Sequence, residues 1–212
     1  MSDPAVMNLT GMSDEEKKVF LAKRFEYIYE TSQKFCVERG LAKDLIVSIY
    51  KSDTDWAFIL KVDAMLESAA KFLLRNGLQI CLVKTVFQNE LLEDFVDLLP
   101  MNGRTSVLKL LDACGLPEYE LGFIESVRLV RNAFAHNIEY ADFTIIDIIK
   151  MRQDKSRLIR FLSSIASYDE AALIVDYEND RTFLRFCIWD SMLRFLVFVY
   201  HLGQKGTAVA NP

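Results

Sequence analysis

Residues able to do chemistry are few in this chain, and they concentrate in one segment. Between Glu125 and Asn137 the apolar pattern carries Glu125, Arg128, Arg131, Asn132 and His136. His is the side chain whose charge changes nearest neutral pH, which makes it the default general acid or base. Arg offers forked donors for a phosphate or for the charge developing on a phosphorane. Together they could cleave RNA without metal: the base activates the 2′-hydroxyl while the cation stabilises the crowded phosphate. At about 100° per residue, Phe123, Val127, Val130 and Phe134 gather on one helix face. Glu125, Asn132 and His136 fall within about 20° of one another on the opposite face, with Arg128 about 60° to one side. Asn132 and His136, as i,i+4 neighbours, can hydrogen-bond to each other. Arg131 and His136, five apart, project about 140° from each other, so one regular helix does not aim both at one phosphate. They converge only if the helix loosens near its end or if a second copy supplies the partner group. The plain structural alternative is a solvated polar stripe whose terminal His meets the last carbonyls.

The rest of the chain offers little competing chemistry. Two isolated histidines, His136 and His201, and four dispersed cysteines provide no ligand pair at zinc spacing, so neither a metal nor a cofactor is expected. Cys36, Cys81, Cys114 and Cys187 lie among apolar neighbours and read as buried, reduced thiols in a cytoplasmic protein. His201 reads as a C-terminal helix cation or a surface residue. The net charge of −5 gives no general attraction to nucleic acid or anionic lipid. The locally basic group Lys150, Arg152, Lys155, Arg157 and Arg160 is therefore the first candidate for an RNA-backbone contact, against the plainer reading of a solvated surface.

These residues must be positioned by helices. The chain has 212 residues, with 51% hydrophobic and 26% charged composition, but only 8 Gly and 4 Pro. Average usage would give roughly 15 Gly and 10 Pro. Strand-rich folds need frequent turn residues, so a multi-helix, all-α bundle is expected. The longest apolar stretch, Phe195 to Tyr200, is far short of the ~20 residues that span a bilayer, and Met1 to Asn8 carry no basic signal region.

Ser13 with Glu16 is a capping-box pattern opening a helix to about Arg39, with Phe20, Phe25, Ile28 and Phe35 toward the core. A second helix from near Asp53 carries the seam Phe58, Val62, Met65, Ala69 and Phe72. Gly40-Leu41, Gly77-Leu78 and Gly115-Leu116 each predict a helix stop of the Schellman type. Further helices are expected at 79–99, 104–114, from Pro117 to Asn137, 142–151, 155–166 and 180–202. Residues 171–177 fit a short strand or part of a helix. The expected organisation is a tail over 1–12, one helical domain over 13–203 and a second tail over 204–212.

The run Arg131-Asn132-Ala133-Phe134-Ala135-His136, preceded by Ile124 and Arg128-Leu129-Val130, resembles the signature of the mannitol operon repressor family. Leu110 to Leu116 is similar to that family's helix ending in Gly-Leu, and Arg104 fits the residue opening it. The likeness covers about residues 54–165. The Arg-Asn-x3-His core also resembles the Arg-x4–6-His motif of HEPN domains, all-α modules that often pair as dimers. Many of those are metal-independent ribonucleases, and others are binding or regulatory modules. The resemblance implies a HEPN-like or mannitol-repressor-like bundle, a homodimer, and Arg131, Asn132 and His136 as the motif positions. The leading expectation is a regulatory or interaction protein working through protein partners. The alternative is an endoribonuclease with His136 as acid/base, Arg131 on the scissile phosphate and Asn132 orienting either group.

Direct DNA reading is disfavoured. A helix-turn-helix drawn across 104–136 would open its recognition helix with Glu118, Glu120 and Glu125, which repel phosphates. The C-terminal helix, with Phe183, Phe186, Trp189, Leu193, Leu196 and Tyr200, reads first as core and second as a dimer or partner surface.

Overall fold

The computed structural model describes residues 13–82, 89–163 and 170–209. They form ten α-helices and one 3-10 turn, with no strand among the described residues. The helices are α1 (Asp14–Glu38), α2 (Leu45–Tyr50), α3 (Asp55–Leu82), α4 (Asn89–Leu98) and α5 (Val107–Ala113). After them come α6 (Glu118–His136), α7 (Ile145–Lys150), α8 (Lys155–Leu162), α9 (Glu170–Asn179) and α10 (Arg181–Val209). The all-helical class read from the sparse turn residues is the class observed.

Helix α3 lies at the centre, against α10 on one side and α6 on another, while α1 packs on α10 and α8 on α6. The expected seam is the reason. Phe58, Val62, Met65 and Ala69 are buried, and Phe72 packs half-buried against the core. Burying each large apolar side chain contributes about 1.5–3 kcal/mol. Most of the apolar residues named on α10 also turn inward. Trp189, Leu193 and Leu196 are buried, and Trp189 Nε1 donates to the Ile46 carbonyl at 3.0 Å.

The α1 capping box forms, with Ser13 and Glu16 each bonding the other's backbone amide. Two of the three Gly-Leu stops form as well. Gly40 (φ 68°) and Gly115 (φ 85°) take the left-handed conformation that ends a helix cheaply only for glycine. The Leu41 amide donates to the Cys36 carbonyl at 2.8 Å, and the Leu116 amide to the Leu111 carbonyl at 2.9 Å.

The third stop is overturned, because α3 runs through Gly77 to Leu82. An interior glycine costs about 1 kcal/mol, which one buried neighbour such as Leu74 outweighs. Here α10 also comes close: a Cβ on Gly203 would meet Asn76 at 3.2 Å and Phe72 at 3.3 Å.

Other boundaries move for local reasons. Arg104 does not open α5. Ser106 caps that helix by accepting from the Lys109 amide at 3.3 Å, and the Val107 amide is taken by the Pro100 carbonyl at 3.0 Å. Pro117 is the N-cap of α6 rather than its first helical residue. Helix α2 was not expected, and residues 171–177 are helical, with Tyr177 fully buried. Helix α10 continues to Val209, past the expected end near Leu202 and through most of the expected tail over 204–212, whose last three residues lie outside the described ones; His201 thus lies inside the helix and hydrogen-bonds to Tyr27 of α1 at 2.7 Å. Cys114, expected to be buried, is exposed at the C-cap of α5, whereas Cys36 and Cys187 are buried as expected. The expected tail over 1–12, residues 83–88 and 164–166 of the expected helices, and the Cys81 side chain lie outside the described residues.

Candidate functional site

Helix α6 is held on two flanks. Its inner face, Phe123, Val127, Val130 and Phe134, is buried as the periodicity predicts. On the α8 side Gly122 permits a close crossing, since a Cβ there would sit 2.4 Å from the Phe161 ring. Glu125 on that side pairs with Arg157 at 2.5 Å.

On the α3 side the flank is ionic. Asp63, buried, lies between two guanidiniums from α6: Arg128 Nη1 at 3.2 Å and Arg131 Nε at 3.3 Å. Arg128 also reaches Glu67 at 3.3 Å, and Glu67 pairs with Lys71 at 2.9 Å. Arg75, one turn further, pairs with Asp97 of α4. Burial pushes the Asp63 carboxyl above its ordinary value, and the two guanidiniums offset this only in part. Burial raises Glu67 too, but Lys71 and Arg128 outweigh it, so that carboxyl lies below its ordinary value.

The motif residues are partly brought together. Arg131 Nη1 donates to Asn132 Oδ1 at 2.9 Å, so the two are joined. That acceptor is thereby used, and the Asn132–His136 hydrogen bond allowed by their spacing is not made. His136 is exposed at the last residue of α6, with no hydrogen bond or ion pair among the described residues. The helix stays α-helical through His136, so no loosening turns it toward Arg131. Asn137, not His136, serves the last carbonyls, donating from Nδ2 to Ala133 at 3.0 Å. Within one chain, Arg131 faces a buried carboxylate and His136 faces solvent.

Asp63 and Glu67 did not stand out in the sequence. A usable signal was present: Asp63, Glu67, Lys71 and Arg75 repeat at i+4 along one ridge of α3, beside its apolar seam. A carboxylate at the edge of such a seam needs a cation from another helix, and Arg128 and Arg131 supply it.

The basic group of 150–160 is largely neutralised. Lys150 pairs with Glu178, Arg152 with Asp154 at 2.7 Å, and Arg157 with Glu125. Arg160 lies over the Phe161 ring, 5.3 Å from its centroid. An open groove of about 620 Å³ runs between α5, α6 and α8. Its cations Lys109, Arg157 and Arg160 are matched by Asp112, Glu118 and Glu125. Among the described residues no three of His, Cys, Asp and Glu gather as a metal-ligand set, and no helix is long and apolar enough to cross a membrane.

No protein-family model matches this chain, and comparison with curated proteins and with solved structures finds no significant relative.

Proposed function

We propose that the chain is a regulatory or interaction protein of the kind the mannitol operon repressor resemblance implies. In this reading it has a HEPN-like helical scaffold, pairs as a cytoplasmic homodimer and acts through protein partners. The observation that carries the reading is the engagement of Arg131. Its guanidinium is shared between the buried Asp63 carboxylate and Asn132. A cation held by an internal carboxylate meets an incoming phosphate with part of its charge already matched. Three of the five nearby basic residues are likewise paired with acids, which weakens attraction to an RNA backbone.

The endoribonuclease reading keeps one specific support: His136 is exposed and unpaired among the described residues, and Arg131 retains 35% exposure. A second copy would have to bring its His136 to Arg131 of the first. Incubation of purified protein with total RNA in EDTA, beside His136→Ala and Arg131→Ala, separates the two. Unchanged RNA across all three proteins is the expected result. Cleavage leaving 2′,3′-cyclic phosphate ends, lost in both variants, establishes the enzyme instead.

A further inference from the structure

Helix α7 turns its isoleucines inward: Ile145, Ile146, Ile148 and Ile149 are all buried. The residues on either side of it do the opposite. Phe143 is 36% exposed and Met151 53% exposed. Tyr140, on the 3-10 turn after α6, packs partly buried behind it, with its ring 5.0 Å from that of Phe143. Phe143 and Met151 border an open cleft of about 350 Å³, together with Asp142, Asp147 and Lys150.

The charges around this cleft are not balanced. Asp142 is exposed, and so is Glu139 three residues earlier. Burial raises Asp147, but the Thr144 hydroxyl and amide, with Arg181 and Lys150, outweigh it and hold the carboxyl below its ordinary value. Lys150, the cation lining the cleft, is already paired with Glu178. Of the groups that line the cleft, Asp142 and Asp147 stand against Lys150 alone, whose charge Glu178 already meets, so the rim beside Phe143 and Met151 is acidic. The larger groove between α5, α6 and α8 selects no charge, because its cations and carboxylates are matched in number.

We infer that the cleft at Phe143 and Met151 docks a cationic segment of a partner protein, an Arg or Lys set beside apolar side chains. The inference rests on the interaction reading above and supplies the surface that reading lacks. The apolar side chains cover Phe143 and Met151, the latter an adaptable contact because its thioether chain is unbranched and polarizable. The cation meets Asp142 and Asp147 while lying against the Phe143 ring, where the ring quadrupole adds attraction.

The test is amide chemical-shift mapping of the full chain with two synthetic, end-blocked peptides, Leu-Arg-Leu-Arg-Leu and Leu-Glu-Leu-Glu-Leu. The expected result is saturable shifts confined to residues 139–151 with the arginine peptide and none there with the glutamate peptide. Asp142→Lys and Met151→Lys place like charge on exposed positions and should each weaken the arginine peptide about tenfold. Equal response to both peptides, shifts lying elsewhere, or undiminished binding in both variants would overturn the assignment. The RNA experiment reads neither outcome, so the docking surface and the interaction reading fail separately.

Discussion

Two aspartates eight residues apart on α3, Asp63 buried and Asp55 partly so, each hold arginine from another helix, and they do so differently. At Asp55 every group is matched. Arg185 of α10 donates Nε to Asp55 and Nη1 to the Ser52 carbonyl at 2.8 Å, and the other Asp55 oxygen accepts the Ile145 amide at 2.7 Å. Arg185 also stacks over Phe58, 5.3 Å from its centroid. At Asp63 two guanidiniums compete for one carboxylate over 3.2–3.4 Å. Arg128 Nε is buried without a hydrogen-bond partner among the described residues, and Arg131 stays partly in solvent. The first cluster is a staple between α3, α7 and α10. The second is short of acceptors: its unmatched donor, Arg128 Nε, is buried, while Arg131 is drawn to Asp63 and Asn132.

Asp55→Ala should have the largest effect. It strands the Arg185 charge and uncaps the Ile145 amide; breaking a buried pair costs about 3–5 kcal/mol, and this pair, with little of either side chain in solvent, should lie near the lower end. Urea midpoints at constant slope measure it. Asp63→Asn should cost less, about 1–3 kcal/mol, because the amide oxygen still accepts from a guanidinium and a buried charge is removed. A cost at Asp63 equal to or above that at Asp55 would erase the contrast.

Within the second cluster the two arginines should separate. Arg128, with 12% side-chain exposure, should cost well over 1 kcal/mol as Arg128→Met, since Asp63 keeps only the partner that lies partly in solvent. Arg131→Met should cost less, about 1 kcal/mol, because its guanidinium is partly in solvent and Asp63 keeps the less exposed Arg128. Equal losses would show that both guanidiniums are structural.

The last effect, absent near neutral pH, concerns the thiols. Burial pushes Cys36 and Cys187 up to about 11. In a Cys81→Ser background, a thiol reagent at pH 8 should label exposed Cys114 first and the other two only on opening. The same shifts make stability fall with pH. The folded state keeps the two protons that the unfolded chain releases, so their contribution is whole below pH 9 and is lost as pH rises toward 11.

Elements built on short-range pattern were legible in the sequence, and those built on partners were not. The capping box at Ser13, the stops at Gly40 and Gly115 and the buried face of α6 each depend on residues within a turn or two of one another. Gly77 misled because its fate was decided by α10, whose Gly203 packs over the same turn. The strand-or-helix ambiguity at 171–177 was settled by packing of α9 onto α10, α8 and α7. At the candidate site Arg131, Asn132 and His136 were readable as types and spacings. The carboxylate that occupies Arg131 was not, because it arrives from 68 positions earlier in the chain.

In the proposed function Arg131, held by Asp63, is not presented to phosphate. Nitrogen-resolved NMR of the arginine Nε–H groups tests it directly, with Arg131→Lys assigning the resonance and a short RNA as titrant in EDTA. The expected outcome is an Arg131 signal that exchanges more slowly than a free guanidinium, is unmoved by RNA and shifts in Asp63→Asn. A signal that exchanges as fast as a free guanidinium, or that moves saturably with RNA in the unmodified protein, would contradict it.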